Sequence, residues 1–211
     1  MILYLHGFAS GPGSTKARAL AEGLAPAGLD PVRLDLTPGP DGFERSTPSS
    51  MLGIVEVELA SRPGPHAIIG SSLGGWLAAL AASRNPSVQR LVLLAPAFRL
   101  HERWMARLAP SDRARWQREG SAEVHHHAEN RPRRIGWGFF EDAARWPAFP
   151  EVKVPALCIA GRRDDTVPLQ DVQAWVDRTP GARLEVVEDG HELTGSLERI
   201  VSLTREFLGA D

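Results

Sequence analysis

The sequence predicts an α/β fold: a three-layer α/β/α sandwich whose mostly parallel sheet has about six strands, with a small cap-like insertion. Three observations lead there. Short apolar runs rich in β-branched residues alternate with longer stretches of helical character. The strands are apolar throughout instead of alternating, as expected for a sheet covered on both faces, and a helix between successive strands demands parallel pairing by right-handed crossovers. Finally, one strand stops at Gly70-Ser71-Ser72-Leu73-Gly74 and a Leu/Ala/Trp-rich helix follows at once. Strands are expected to begin at about Ile2, Val32, Ala67, Gln89, Val154 and Arg183.

Taken in order, the first strand, Ile2 to Leu5, runs into the glycine-rich loop His6-Gly7-Phe8-Ala9-Ser10-Gly11-Pro12-Gly13-Ser14. Ser14 is placed to cap a helix over 15–25. A phosphate loop is not expected here, because Ser14 and Thr15 precede Lys16 and break the G-x-x-x-x-G-K-[ST] order. Pro31 to Leu36 is the second strand, followed by a Pro/Gly/Ser-rich loop over 37–50 and a helix over 51–62 that packs Leu52, Val55 and Leu59 on one face. The strand from Ala67, its helix and the strand over 89–95 complete the regular part, up to Pro96.

Residues 98–150 break the rhythm. They hold Trp104, Trp116, Trp137 and Trp146, and ten arginines against seven acids. Helices are expected over 99–108 and 111–118, the second capped by Ser111, with a hairpin pairing 123–127 with 134–138 and a short helix over 141–146. An insertion at the carboxyl end of a strand lies where open α/β sheets bind ligands, so it is expected to shape a substrate pocket. Alternation along a strand would place His125 and His127 on one face; no acidic or thiol ligand set accompanies them, so a polar surface is expected there and no metal. Arg131, Arg133 and Arg134 are expected on a solvated face. The rhythm then resumes with a strand over 154–161, a helix over 169–179, a strand over 183–187 and a final helix over 195–208.

The chemistry centres on Ser72. In G-x-S-x-G the serine occupies a cramped strand-to-helix turn, with Gly70 and Gly74 removing side chains that would collide there. The Leu73 N–H, at a helix start, faces any developing oxyanion, and by position the Phe8 N–H supplies a second donor. His6, fixed at a strand end, is expected to brace that loop. An acid belongs on the loop after the fifth strand, where Asp164 is the choice and Asp165 the alternative. His191 follows the last strand in a short glycine-containing loop, the position of a general base. The chain order Ser72, Asp164, His191 separates this arrangement from the two other common serine triads.

Length suits one domain over 1–211, with the insertion at about 98–150. A net charge of -2 gives no global attraction to nucleic acid or to anionic membranes, and no run approaches a membrane-spanning length. The first residues lack a basic, long-apolar signal segment, and the lone Cys158 sits in an apolar run as a buried hydrophobe, so a cytoplasmic location is expected.

The opening Tyr4-Leu5-His6-Gly7-Phe8-Ala9-Ser10-Gly11-Pro12-Gly13-Ser14-Thr15-Lys16-Ala17 and the elbow Gly70-Ser71-Ser72-Leu73-Gly74-Gly75 resemble the small bacterial esterases of the YqiA type, within the α/β-hydrolase superfamily. The resemblance implies Ser72 as nucleophile, His191 as base, an aspartate within 161–168 as acid, and the strand order 2-1-3-4-5-6. The superfamily pattern G-x-x-D-x-x-V-P falls on Gly161, Asp164, Val167 and Pro168, which supports Asp164. Implied activity is hydrolysis of carboxylic esters or acyl thioesters, and the reading preferred is cleavage of the ester of a small or acyl-chain molecule without a cofactor. The alternatives are a thioesterase whose insertion arginines hold an anionic carrier such as coenzyme A, and a non-catalytic binding protein on the same fold. The long Arg- and Trp-rich insertion departs from the smallest members of the group.

Overall fold

The computed structural model describes residues 1–209. Its strands are β1 (Ile2–Leu5), β2 (Val32–Leu34), β3 (His66–Ser71), β4 (Val88–Leu94), β5 (Ser121–His126), β6 (Arg131–Gly136), β7 (Ala156–Gly161) and β8 (Ala182–Val187). Its helices are α1 (Thr15–Leu24), α2 (Gly42–Arg45), α3 (Pro48–Ala60), α4 (Leu73–Arg84), α5 (Leu100–Arg107), α6 (Pro110–Glu119), α7 (Gly138–Ala143), α8 (Leu169–Val176) and α9 (Leu197–Leu208). Six strands form one parallel sheet in the order β2-β1-β3-β4-β7-β8, the expected topology. The fold is that of an α/β hydrolase, with helices on both sheet faces.

The pleat divides the core. Leu3, Leu5, Ile68, Leu91, Leu93 and Cys158 point to one face, where α3, α4 and α8 bring Leu52, Val55, Leu77 and Val172. Tyr4, Ile69, Val92, Leu94, Leu157 and Ile159 point to the other, covered by Leu20 and Leu24 of α1 and Ile200 and Leu203 of α9. Helix α4 is buried all round from Leu73 to Ala81, as its uniform Leu, Ala and Trp content requires. Registry brings Leu5 beside Gly70, Ser71 beside Leu94, and Gly161 beside Val187, so the carboxyl ends of these strands rise to one edge.

The chain between β4 and β7 adds α5, α6, the antiparallel β5–β6 hairpin and α7 at that edge. Its tryptophans build a small aromatic core: Trp104, Trp116 and Trp137 close around Phe140, with centroid distances of 5.0, 5.0 and 5.6 Å. The indole N–H groups of Trp76 and Trp175, outside this segment, donate to the carbonyls of Pro147 and Pro150 at 3.0 and 2.8 Å, which fixes its return to the sheet. Asp142 accepts from the N–H and hydroxyl of Ser49, both at 2.7 Å, and joins α7 to the start of α3.

Several boundaries differ from expectation, each for a local reason. Helix α3 starts at Pro48 instead of Met51 because Thr47 and Ser50 cap each other reciprocally and Pro48 fits the first turn. Ser111 does not cap α6, which begins at Pro110 after Ala109 with no side-chain cap. The second hairpin strand lies at Arg131–Gly136, since Trp137 opens α7, which itself precedes the expected helix over 141–146. The loop over 37–50 contains α2, pinned by the buried Phe43.

Leu93 is fully buried at the centre of the sheet. Its truncation to Ala should cost about 2–5 kcal/mol through lost transfer energy and a residual cavity, read as a fall in the urea midpoint at constant m-value.

Candidate active site

The turn between β3 and α4 is as cramped as the glycines require. A Cβ on Gly70 would lie 2.3 Å from the Gly74 carbonyl oxygen, and one on Gly74 would lie 2.2 Å from the Leu5 carbonyl oxygen. Ser72 is held at φ 53°, ψ −115°, outside the regions an L-residue favours. What holds it is the neighbouring strand: its N–H donates to Leu94 O and its carbonyl accepts from Ala97 N, both at 2.9 Å. The side chain is thereby lifted from the sheet edge into the solvent-accessible cleft.

The loop after β1 lies against this turn, since a Cβ on Gly7 would stand 3.4 Å from that of Ser72. Neither the Phe8 nor the Leu73 N–H makes a backbone hydrogen bond among the described residues, and both residues line the cavity in front of Ser72. His6 is buried behind them: its Nδ1 donates to Gly7 O at 2.9 Å and its Nε2 accepts from Leu36 N at 3.2 Å, the arrangement of a neutral ring. Burial pushes the pKa of His6 down, in keeping with that tautomer.

Asp164 and His191 come to Ser72 from the loops after β7 and β8. These loops touch closely, because a Cβ on Gly161 would meet Asp189 O at 2.5 Å and Gly190 O at 2.6 Å. His191 Nδ1 donates to Asp164 Oδ2 at 2.8 Å, which leaves Nε2 as acceptor for the Ser72 hydroxyl at 3.0 Å. The other carboxylate oxygen, Oδ1, accepts from the N–H groups of Thr166 and Val167 at 2.8 and 2.7 Å. Burial works against ionisation of Asp164, but the bonds from His191 and the Val167 amide outweigh it and hold the carboxyl below the ordinary aspartate range. Asp165, by contrast, is exposed, and among the described residues its carboxylate engages only the Thr166 hydroxyl, at 3.2 Å.

A cavity of about 890 Å³ opens over Ser72, bounded on one side by Phe8, Leu73, Leu100 and Trp104. Trp104 meets Phe8 edge-on at 5.4 Å, so α5 forms a wall of the cavity and packs on the loop bearing the Phe8 N–H. The same helix grips the acid loop: Arg107 Nη2 donates to Asp165 O and Thr166 O at 2.7 and 3.2 Å. Arg99 and Arg103 bond the buried carboxylate of Asp171 at 3.2 and 3.0 Å. Lys16 Nζ donates to Glu192 O at 2.7 Å and so ties the first loop to the histidine loop.

Residues Lys16, Arg18, Arg103 and Arg107, which also line this cavity, are absent from the sequence-derived site, and only the four-residue spacing of Arg103 and Arg107 around Trp104 hints at them. The arginines singled out from the sequence lie elsewhere: Arg131 and Arg133 pair with Glu129, and Arg134 with Glu44 and Ser121. His125 and His127 share a face, rings 5.1 Å apart, and reach the cavity, whereas His126 is buried against Phe43. No cluster of three His, Cys, Asp or Glu side chains arranged to hold a metal ion occurs among the described residues. Nor is any helix among them long and apolar enough to cross a membrane. Cys158 is fully buried, and burial alone pushes its thiol pKa far up.

Residues 1–202 match the uncharacterised protein family UPF0227, the YqiA-like family. The chain belongs to that family. No curated protein matches this UPF0227 chain. Among solved structures, it is similar to alpha/beta hydrolase domain-containing protein 10 from mouse, with a TM-score of 0.82, 23% identity, and 98% of this chain and 88% of that one covered. Est1E from Butyrivibrio proteoclasticus with ferulic acid bound gives a TM-score of 0.83 at 20% identity, covering 98% and 87%. Dienelactone hydrolase from Anabaena variabilis gives 0.67 at 21% identity, covering 98% and 84%. All three likenesses are of fold.

The lowered pKa of Asp164 sets the sign of a stability effect. Its ionised form stabilises the folded chain fully above the ordinary unfolded value of about 3.9, and that contribution is lost as pH falls through the lower native value. Asp164→Asn removes this component, so its urea midpoint should fall less steeply than wild type below about pH 5. Parallel pH profiles for the two proteins would count against this linkage.

Proposed function

We propose that the chain is a serine hydrolase that cleaves carboxylic esters. The observation that carries this is the continuous hydrogen-bonded line from Ser72 Oγ through His191 to Asp164, anchored on a serine whose backbone is forced out of the favoured regions. The resemblance of the opening loop and elbow to YqiA-type esterases favours an ester over an amide.

In the first half-reaction His191 Nε2 takes the Ser72 proton as Oγ attacks the ester carbonyl carbon, and Asp164 stabilises the resulting imidazolium. The carbonyl oxygen becomes an oxyanion facing the N–H groups of Phe8 and Leu73, each donor contributing about 3 to 4 kcal/mol in comparable sites. The imidazolium then protonates the departing alcohol, and the acyl group remains on Ser72. In the second half, His191 deprotonates a water that attacks the acyl-enzyme, and the proton returns to Ser72 Oγ as the acid leaves. None of these steps calls on a cofactor.

Fluorophosphonate labelling with peptide mapping, beside hydrolysis of p-nitrophenyl esters from acetate to palmitate, tests the proposal. Label should appear on Ser72. Ser72→Ala should lower kcat by about 10⁶-fold, to background, and Asp164→Asn by roughly 10⁴-fold with the fold intact. Absence of label together with equal rates in wild type and Ser72→Ala would leave a binding protein as the better account.

A further inference from the structure

The cavity over Ser72 is cationic as well as apolar. Lys16, Arg18, Arg103 and Arg107 line it, and Glu192 is the one acid among the described lining residues. That acid is already committed, its carboxylate lying 3.5 Å from Lys16 Nζ. Arg103 is matched by Asp171, but Arg107, one turn further along the same face of α5, has no carboxylate within ion-pair distance among the described residues. Its protein hydrogen bonds run through Nη2 alone, to two backbone carbonyls. The Arg18 guanidinium likewise bonds only the Gly13 carbonyl among the described residues.

Like charges four residues apart on a helix repel. Burial foremost, with the Arg107 charge adding to it, holds Arg103 below the usual guanidinium pKa in spite of Asp171. A free chain therefore carries uncompensated positive charge in a concave, partly apolar site beside its nucleophile, where field lines are focused and an anion relieves the repulsion. The planar guanidinium fork suits an oxyanion with two or more oxygens.

We propose that Arg107 and Arg103 form an anion subsite, and that the ester attacked by Ser72 carries a carboxylate or phosphate besides its scissile bond. Phe8, Leu73, Leu100 and Trp104 then take the apolar part of the substrate while the guanidiniums take its charged end. The proposal rests on the serine-hydrolase reading and adds the substrate class to it.

Two matched pairs test it. Mono-p-nitrophenyl adipate against p-nitrophenyl hexanoate puts a carboxylate on the acyl side. Hexanoyl glycerol 3-phosphate against hexanoyl glycerol puts a phosphate on the alcohol side. At low ionic strength wild type should favour the anionic member of at least one pair by about 10-fold or more in kcat/KM, the ratio falling as salt screens the site. Arg107→Gln should bring that ratio down to the wild-type high-salt value, with Arg107→Lys between the two. The ratio is the readout because Arg107 also holds the acid loop, and any general loss of rate cancels within a pair. Preference in the adipate pair alone places the anion on the acyl part; preference in the phosphate pair alone places it on the alcohol. A ratio near one in both pairs, or one that Arg107→Gln leaves unchanged, overturns the subsite. If the neutral hexanoate is turned over and Ser72 takes the fluorophosphonate label, such a result removes the subsite alone; if neither happens, the hydrolase reading falls and the subsite with it.

Discussion

The site depends on how closely backbone approaches backbone at the carboxyl edge of the sheet. Gly74 lies against the Leu5 carbonyl, and Gly161 against the carbonyls of Asp189 and Gly190. The first approach seats the elbow beside the loop bearing the Phe8 N–H; the second brings the acid loop within reach of the histidine loop. A single methyl at either point would force carbonyls apart by more than the slack of a hydrogen bond. The 2.8 and 3.0 Å bonds of His191 follow from these two main-chain contacts as much as from the side chains that make them.

Around this frame the inserted segment acts as a brace. Helix α5 touches three parts of the site at once: Trp104 packs on Phe8, Arg107 holds the carbonyls after Asp164, and Arg99 and Arg103 converge on Asp171 of α8. These ties to one buried carboxylate and two carbonyls orient a helix that is itself only half-buried. A shift of α5 would therefore move the cavity wall and the acid loop together.

The sheet was legible because its signal is local. Each strand is a short apolar run ended by Gly, Pro or a polar loop, and parallel pairing through helices leaves few topologies. Ser72, Asp164 and His191 could be singled out because each directly follows a strand in a motif that leaves little choice of backbone, and the structure brings the three side chains together. Legibility ended at the insertion. Its helix α6 starts at Pro110 and not at Ser111, and its hairpin gives way at Trp137, which packs on Trp116 and Phe140 in an aromatic core drawn from α5, α6 and α7. The cavity cations have no local signal for a related reason: Lys16 and Arg18 come from α1, Arg103 and Arg107 from α5, and only the closed tertiary structure brings them around one cavity.

The two indole bonds from Trp76 and Trp175 to Pro147 and Pro150 join helices that belong to the sheet layers to the end of the inserted segment. They fix where the chain must come back, whatever path it takes in between. Between the departure and that return, α5 stays tied to the loop after β7 and to Asp171 of α8, so the excursion is held in its middle as well as at its end. Any exchange of the roof that removed α5 would remove those ties too, so the shape of the cavity over Ser72 and the placement of the Asp164 loop are inherited together.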